Sequence, residues 1–184
     1  MGQRSQMFAV IESHGGFIAE ESVRIGRHYQ WVWGEHMIIR AGQVIRYLDT
    51  ATESKALWHS SAEEIAAGIT ATYGVNQATG EVQGLRSRDD VSDCSLTGCD
   101  NNDGAFLVHV NKDREYSFGF VLKSDYQEFG PICGVDAVIN EYQVHRPSPE
   151  IQEAITALQA AAERRRLMDT ETDILVATGT GLEQ

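Results

Sequence analysis

Residues 105–122, AFLVHVNKDREYSFGFVL, decide the fold. Two runs rich in aromatic and β-branched side chains, 105–110 and 116–122, flank Asn111-Lys112-Asp113-Arg114, a composition that favours chain reversal. The stretch reads as a β-hairpin, so a sheet is one layer of the structure.

Upstream, residues 6–12 (QMFAVIE) and 17–21 (FIAEE) flank Ser13-His14-Gly15-Gly16, where glycine supplies positive φ for a further hairpin. Residues 23–31 (VRIGRHYQW) put Val23, Ile25, Arg27, Tyr29 and Trp31 on one face and Arg24, Gly26, His28 and Gln30 on the other, which suits a third strand. From Glu35 the period changes. Met37, Ile38, Ala41, Val44, Ile45 and Leu48 recur at three and four, with Arg40, Gln43 and Arg46 off that stripe, and predict an amphipathic helix.

Ser61-Ala62-Glu63-Glu64 has capping-box spacing, and Ile65, Ile69 and Tyr73 continue a second helix that Gly74 can close. Residues 74–103 hold glycine, Ser, Thr, Asn and Asp without periodicity and read as a long loop. In residues 135–145 (VDAVINEYQVH), Val138, Tyr142 and His145 fit a helix and Val138, Asn140, Tyr142 and Val144 a strand; the strand is the reading taken. Ser148 as N-cap and Pro149 in the first turn start a third helix with Ile151, Ile155, Leu158 and Ala162 on its apolar stripe; Arg164-Arg165-Arg166 suit its negative end. The reading is an α+β fold: a single domain over 1–168, an antiparallel sheet built from two hairpins against about three helices, and a mobile tail at 169–184.

With 184 residues, 42% hydrophobic and 23% charged, the chain has the composition of an ordinary globular domain. No stretch approaches the roughly 20 apolar residues of a membrane span, and the opening MGQRSQMFAVIESHGG makes a poor signal peptide, so a cytoplasmic protein is expected. Cys94, Cys99 and Cys133 are too few and too irregular for a secreted disulfide framework; with His109 they are also a weak zinc pattern.

The formal charge of −12 is uneven. Residues 1–48 carry five arginines against four glutamates, net +1, whereas residues 49–150 carry 17 acids against 7 bases, net −10. Such a field repels nucleic acid and attracts a basic protein surface. Its densest part is Asp89, Asp90, Asp93, Asp100 and Asp103, with no base among them from 89 to 103.

Asp100-Asn101-Asn102-Asp103-Gly104 offers hard oxygen ligands, but with Gly104 as the sixth position of an EF-hand loop Cys99 and Val110 fall where ligands are required. The same composition describes a turn entering a strand, the plainer account. His28, Glu35, Asp100, Asp103 and His109 could together hold a divalent cation that activates water for hydrolysis. No P-loop, dinucleotide fingerprint, nucleophile elbow or HExxH helix occurs.

Arg4-Ser5-Gln6, His28-Tyr29-Gln30-Trp31, Gly34-Glu35, Arg40-Ala41 and Asp100-Asn101-Asn102-Asp103-Gly104 resemble a pattern in small uncharacterised proteins of bacteria and their phages, over roughly residues 1–125. The resemblance implies a phage or mobile-element setting. By analogy with anti-CRISPR proteins that imitate DNA charge, it implies an inhibitor of host defence that binds a host nucleic-acid-binding complex. Two function classes follow: a binding protein acting through the five aspartates without a cofactor, and a divalent-metal enzyme. A symmetric homo-oligomer is compatible with either.

Overall fold

A strand that is apolar at every position, such as 7–11 or 105–108, satisfies both its faces only when both are covered. The computed structural model, which describes residues 4–13, 22–30, 34–74, 104–122, 132–142 and 147–164, places these strands at the centre. β1 (Arg4–Ile11), β2 (Val23–Gln30), β3 (Ala105–Val110), β4 (Tyr116–Val121) and β5 (Ile132–Cys133) form one sheet in the order β2-β1-β3-β4-β5. β1 is antiparallel to β2, β3 to β4 and β4 to β5, but β1 and β3 run parallel, with Gln6 opposite Ala105 and Ile11 opposite Val110.

The sheet is therefore mixed, a correction to the wholly antiparallel reading. The pair β3–β4 is the hairpin predicted from 105–122: Asn111 N–H donates to Glu115 O at 2.9 Å, and Asn111 Oδ1 accepts the Glu115 N–H at 2.9 Å. In the β1–β2 pair, 23–30 is the strand beside β1, with Val23 opposite Ile11. The strand predicted at 17–21, the loop predicted at 74–103 and the tail 169–184 lie outside the described residues.

Five helices complete the described chain: α1 (Glu35–Glu53), the single turn α2 (Ala56–His59), α3 (Ala62–Gly74), α4 (Val135–Glu141) and α5 (Pro149–Arg164). The capping box forms as its spacing predicts, Glu64 N–H donating to Ser61 Oγ at 3.2 Å and Ser61 N–H to Glu64 Oε2 at 2.9 Å. Ser148 caps α5 through Ile151 N–H at 3.3 Å. Residues 135–141 are helical rather than extended. Val135 and Val138, spaced for one helix face, are buried, and tertiary packing outweighs the β-branched preference for strands.

Alternation assigns each strand's side chains to one face. Met7, Ala9 and Ile11, Phe106, Val108 and Val110, and Phe118 and Phe120 join the core built by α1, α3 and α5. Phe8, Val10, Ala105, Leu107 and Val121 form a second buried cluster on the reverse face, with Ile132 against it. Both clusters have to be buried, and this is why β1 and β3 carry unbroken apolar runs.

α1 packs along α5. A Cβ on Gly42 would lie 2.7 Å from Ala154 Cβ and 2.8 Å from its Cα, so the missing side chain lets the backbones approach. At the far end, Asp49 accepts Tyr116 O–H at 2.7 Å and Arg164 at 2.8 Å. Ordinarily Gly→Ala gains about 1 kcal/mol in a helix. Here the Ala154 backbone cannot rotate away, and Gly42→Ala is expected to cost roughly 1–3 kcal/mol. The check is a lower urea midpoint at unchanged m-value; a more stable variant would mean that the contact is looser than described.

Candidate functional site

The amino ends of β1 and β3 gather residues far apart in sequence. Register pairs Arg4 with Gln30, Ser5 with Tyr29 and Gln6 with His28, while Gln6 N–H donates to Gly104 O at 3.1 Å. Gly34 and Gly104 have positive φ, 47° and 97°, and both back onto Tyr142 at the end of α4. A Cβ on Gly104 would meet Tyr142 Oη and Val121 O at 2.8 Å, so this entry into β3 accepts glycine alone.

Beneath this end lies Arg40. The sequence placed it off the apolar stripe of α1, yet it is 2% exposed. Its guanidinium donates to the main-chain oxygen of Tyr73, in the last turn of α3 where the helix dipole is negative. Burial pulls its proton affinity down, and the nearby Tyr73 and Tyr29 phenols act in the opposite sense. An arginine keeps its charge under these conditions. The Tyr73 ring lies 4.9 Å from that of Tyr29 and stacks on Phe106 at 5.9 Å; Phe106 continues to Phe120 at 5.3 Å.

These contacts fix both borders of 75–103. Tyr73 is two residues before that segment and Phe106 three after it, and their rings touch. The segment holds Glu81 and the five aspartates against Arg86 and Arg88, net −4. Asp89, Asp90, Asp93, Asp100 and Asp103 all lie outside the described residues. On the reverse face, Gln6 is fully buried, and among the described residues neither its Oε1 nor its Nε2 has a hydrogen-bond partner, an uncommon state for a buried amide.

Of the candidate metal ligands, Glu35 is exposed at the start of α1, next to Gly34. His109 sits five residues beyond Gly104 along β3, about 16 Å away at the rise of a strand, so Glu35 and His109 do not meet. The backbone at position 28 is registered with Gln6, at the Glu35 end. Asp100 and Asp103 lie outside the described residues, and among the described ones no three His, Cys, Asp or Glu side chains gather as a metal site.

His109 instead meets Glu12, which no motif singles out: it is one acid closing an apolar strand. His109 Nε2 and Glu12 Oε1 are 2.9 Å apart, Lys112 N–H donates to Glu12 Oε2 at 3.0 Å, and Arg114 ties Glu12 O (2.8 Å) to Ser60 O (3.1 Å). Glu12 thus closes the β3–β4 turn against the end of β1. Of the weak zinc pattern, Cys94 and Cys99 lie outside the described residues, while Cys133 is registered with Phe120 on the helix-packed side and His109 alternates to the reverse side.

Comparison of the chain with protein-family models, with curated proteins and with solved structures found no match.

Cys133 is half-buried, and burial raises its thiol from 9.0 to about 11 against a weaker opposing hydrogen bond from the Leu122 backbone. The protonated thiol is favoured in the fold, so its contribution to stability is present below pH 9 and is lost as pH climbs toward 11. At pH 8 a two-unit rise cuts the thiolate fraction roughly 100-fold. In a Cys94→Ser, Cys99→Ser background, iodoacetamide should label the folded chain about 100-fold more slowly than the urea-unfolded chain. Equal rates would show an exposed, ordinary thiol.

Proposed function

We propose that the protein binds a basic protein surface through the acidic segment 75–103, with Asp89, Asp90, Asp93, Asp100 and Asp103 as the contacting charges. The observation that carries this reading is the anchoring of the segment's borders. Tyr73 and Phe106 stack within the buried core, and Arg40 and Gln6 hold the adjoining main chain. A rigid scaffold that fixes both ends of a long connection is the usual setting for a binding loop.

The charge supports a protein partner over a nucleic acid, since a net −10 over residues 49–150 repels phosphate. A stretch of sequence dense in carboxylates fits a partner that ordinarily holds nucleic acid, in keeping with the resemblance to phage proteins and with an inhibitor of host defence. Such contacts accelerate encounter more than they prolong the complex.

The test uses the full chain and the partner it captures from a bacterial lysate. Affinity should fall steeply between about 50 and 200 mM salt, and an Asp89→Asn, Asp90→Asn, Asp93→Asn variant should lose about tenfold in on-rate at nearly constant off-rate. A complex indifferent both to salt and to the triple substitution would remove the acidic segment from the interface.

A further inference from the structure

The reverse face of the sheet is buried although no described helix lies on it. Phe8, Ala105 and Leu107 are fully buried there, and Val10 and Val121 are 1% exposed. Gly26 and Gly119, which the register places on either side of Phe8 and Leu107, are buried as well. The cover therefore spans four strands, about 14 Å at the usual strand spacing. Every described helix gives its buried apolar side chains to the cluster on the opposite face and none to this one. What buries the reverse face is chain outside the described residues.

The sequence of those stretches narrows the choice. Residues 75–103 never place two apolar side chains in succession, and 14–21 and 123–131 only join neighbouring strands. The longest apolar run among them is Ile174-Leu175-Val176-Ala177. At period two, Thr172, Ile174, Val176 and Thr178 fall on one side and Glu171 and Asp173 on the other, as in an extended segment with one face inward. Residues 174–178 extend about 16 Å, enough for the span.

Reach and charge agree with this choice. Arg164, at the end of α5, pairs with Asp49 at 2.8 Å, and Asp49 also holds Tyr116 at the start of β4. From there residues 165–173 reach about 30 Å, against roughly 20 Å from the helix layer past the sheet to its far side. Beyond Arg166 the chain carries Asp169, Glu171, Asp173 and Glu183 and no base, while Arg24, on the reverse side of β2, is exposed.

We infer that the C-terminal segment 172–178 crosses the reverse face as an extended strap, with Ile174 and Val176 packed on Phe8 and Leu107. This goes beyond the binding role of 75–103 and stands or falls separately from it.

Two measurements on the full chain test it. With a nitroxide on Gly179→Cys in a Cys94→Ser, Cys99→Ser, Cys133→Ala background, the methyl resonances of Val10, Leu107 and Val121 should broaden while those of Ile45 and Ile155, under the helices, stay sharp. The broadening should vanish when nitroxide and isotope label sit on different molecules. Ile174→Asp with Val176→Asp should lower the urea midpoint by about 1 M or more and raise the fluorescence of a dye that binds exposed apolar surface, whereas Val82→Asp with Leu85→Asp should leave the midpoint in place. The nitroxide decides the matter if the tail variant does not fold. Sharp Val10, Leu107 and Val121 methyls, broadening carried between molecules, or a midpoint that falls for the 82 and 85 pair and not for the tail pair would each overturn the strap.

Discussion

A guanidinium inside an apolar core has to be held at several points or it unfolds its surroundings, and Arg40 is held by the end of α3. Its donation to the Tyr73 carbonyl places a cation on the negative pole of that helix, and the phenols of Tyr29 and Tyr73 lie close by. Through Tyr73 the constraint passes to β2 and β3, because the Tyr73 ring meets both Tyr29 and Phe106. One cation thus ties α1 and α3 to two strands that are not neighbours in the sheet.

The topology explains why such a tie matters. β1 and β3 are parallel neighbours separated by β2, α1, α2, α3 and the segment 75–103. Parallel pairing across so long a connection closes late and at an entropic cost. The stack of Tyr29, Tyr73, Phe106 and Phe120 supplies contacts at the point where the chain returns, while Gly104 lets it enter β3 against Tyr142 and the Val121 carbonyl. The carboxyl ends of the same strands are closed independently by Glu12 with His109, Lys112 and Arg114.

Local signals in the sequence were sufficient where local chemistry decides. The Asn111 turn, the Ser61 capping box, the Ser148 cap and the apolar stripe of α1 all form at the residues that announced them. The parallel pair was less legible, although the unbroken runs at 7–11 and 105–108 are the mark of a strand covered on both faces. Residues 135–141 misled because Val135, Val138 and Ile139 favour strands in isolation and pack as a helix in place. Arg40 and Gln43 fall off the apolar stripe of α1 in the sequence, yet both are buried. Polarity does not reveal burial when the partner is a main-chain oxygen supplied by another helix. Glu12 and His109 are 97 residues apart, and only the strand register brings them together.

Hydrogen exchange on Arg40→Met tests the Arg40 constraint most directly. Methionine keeps most of the volume and removes the donor to Tyr73. If Arg40 ties α3 to the returning strand, amides 69–73 of α3, 105–107 of β3 and Gln6 should lose protection together, by roughly tenfold or more, while 152–163 of α5 keep theirs. Unchanged protection at both borders, or an equal loss throughout the chain, would contradict the account.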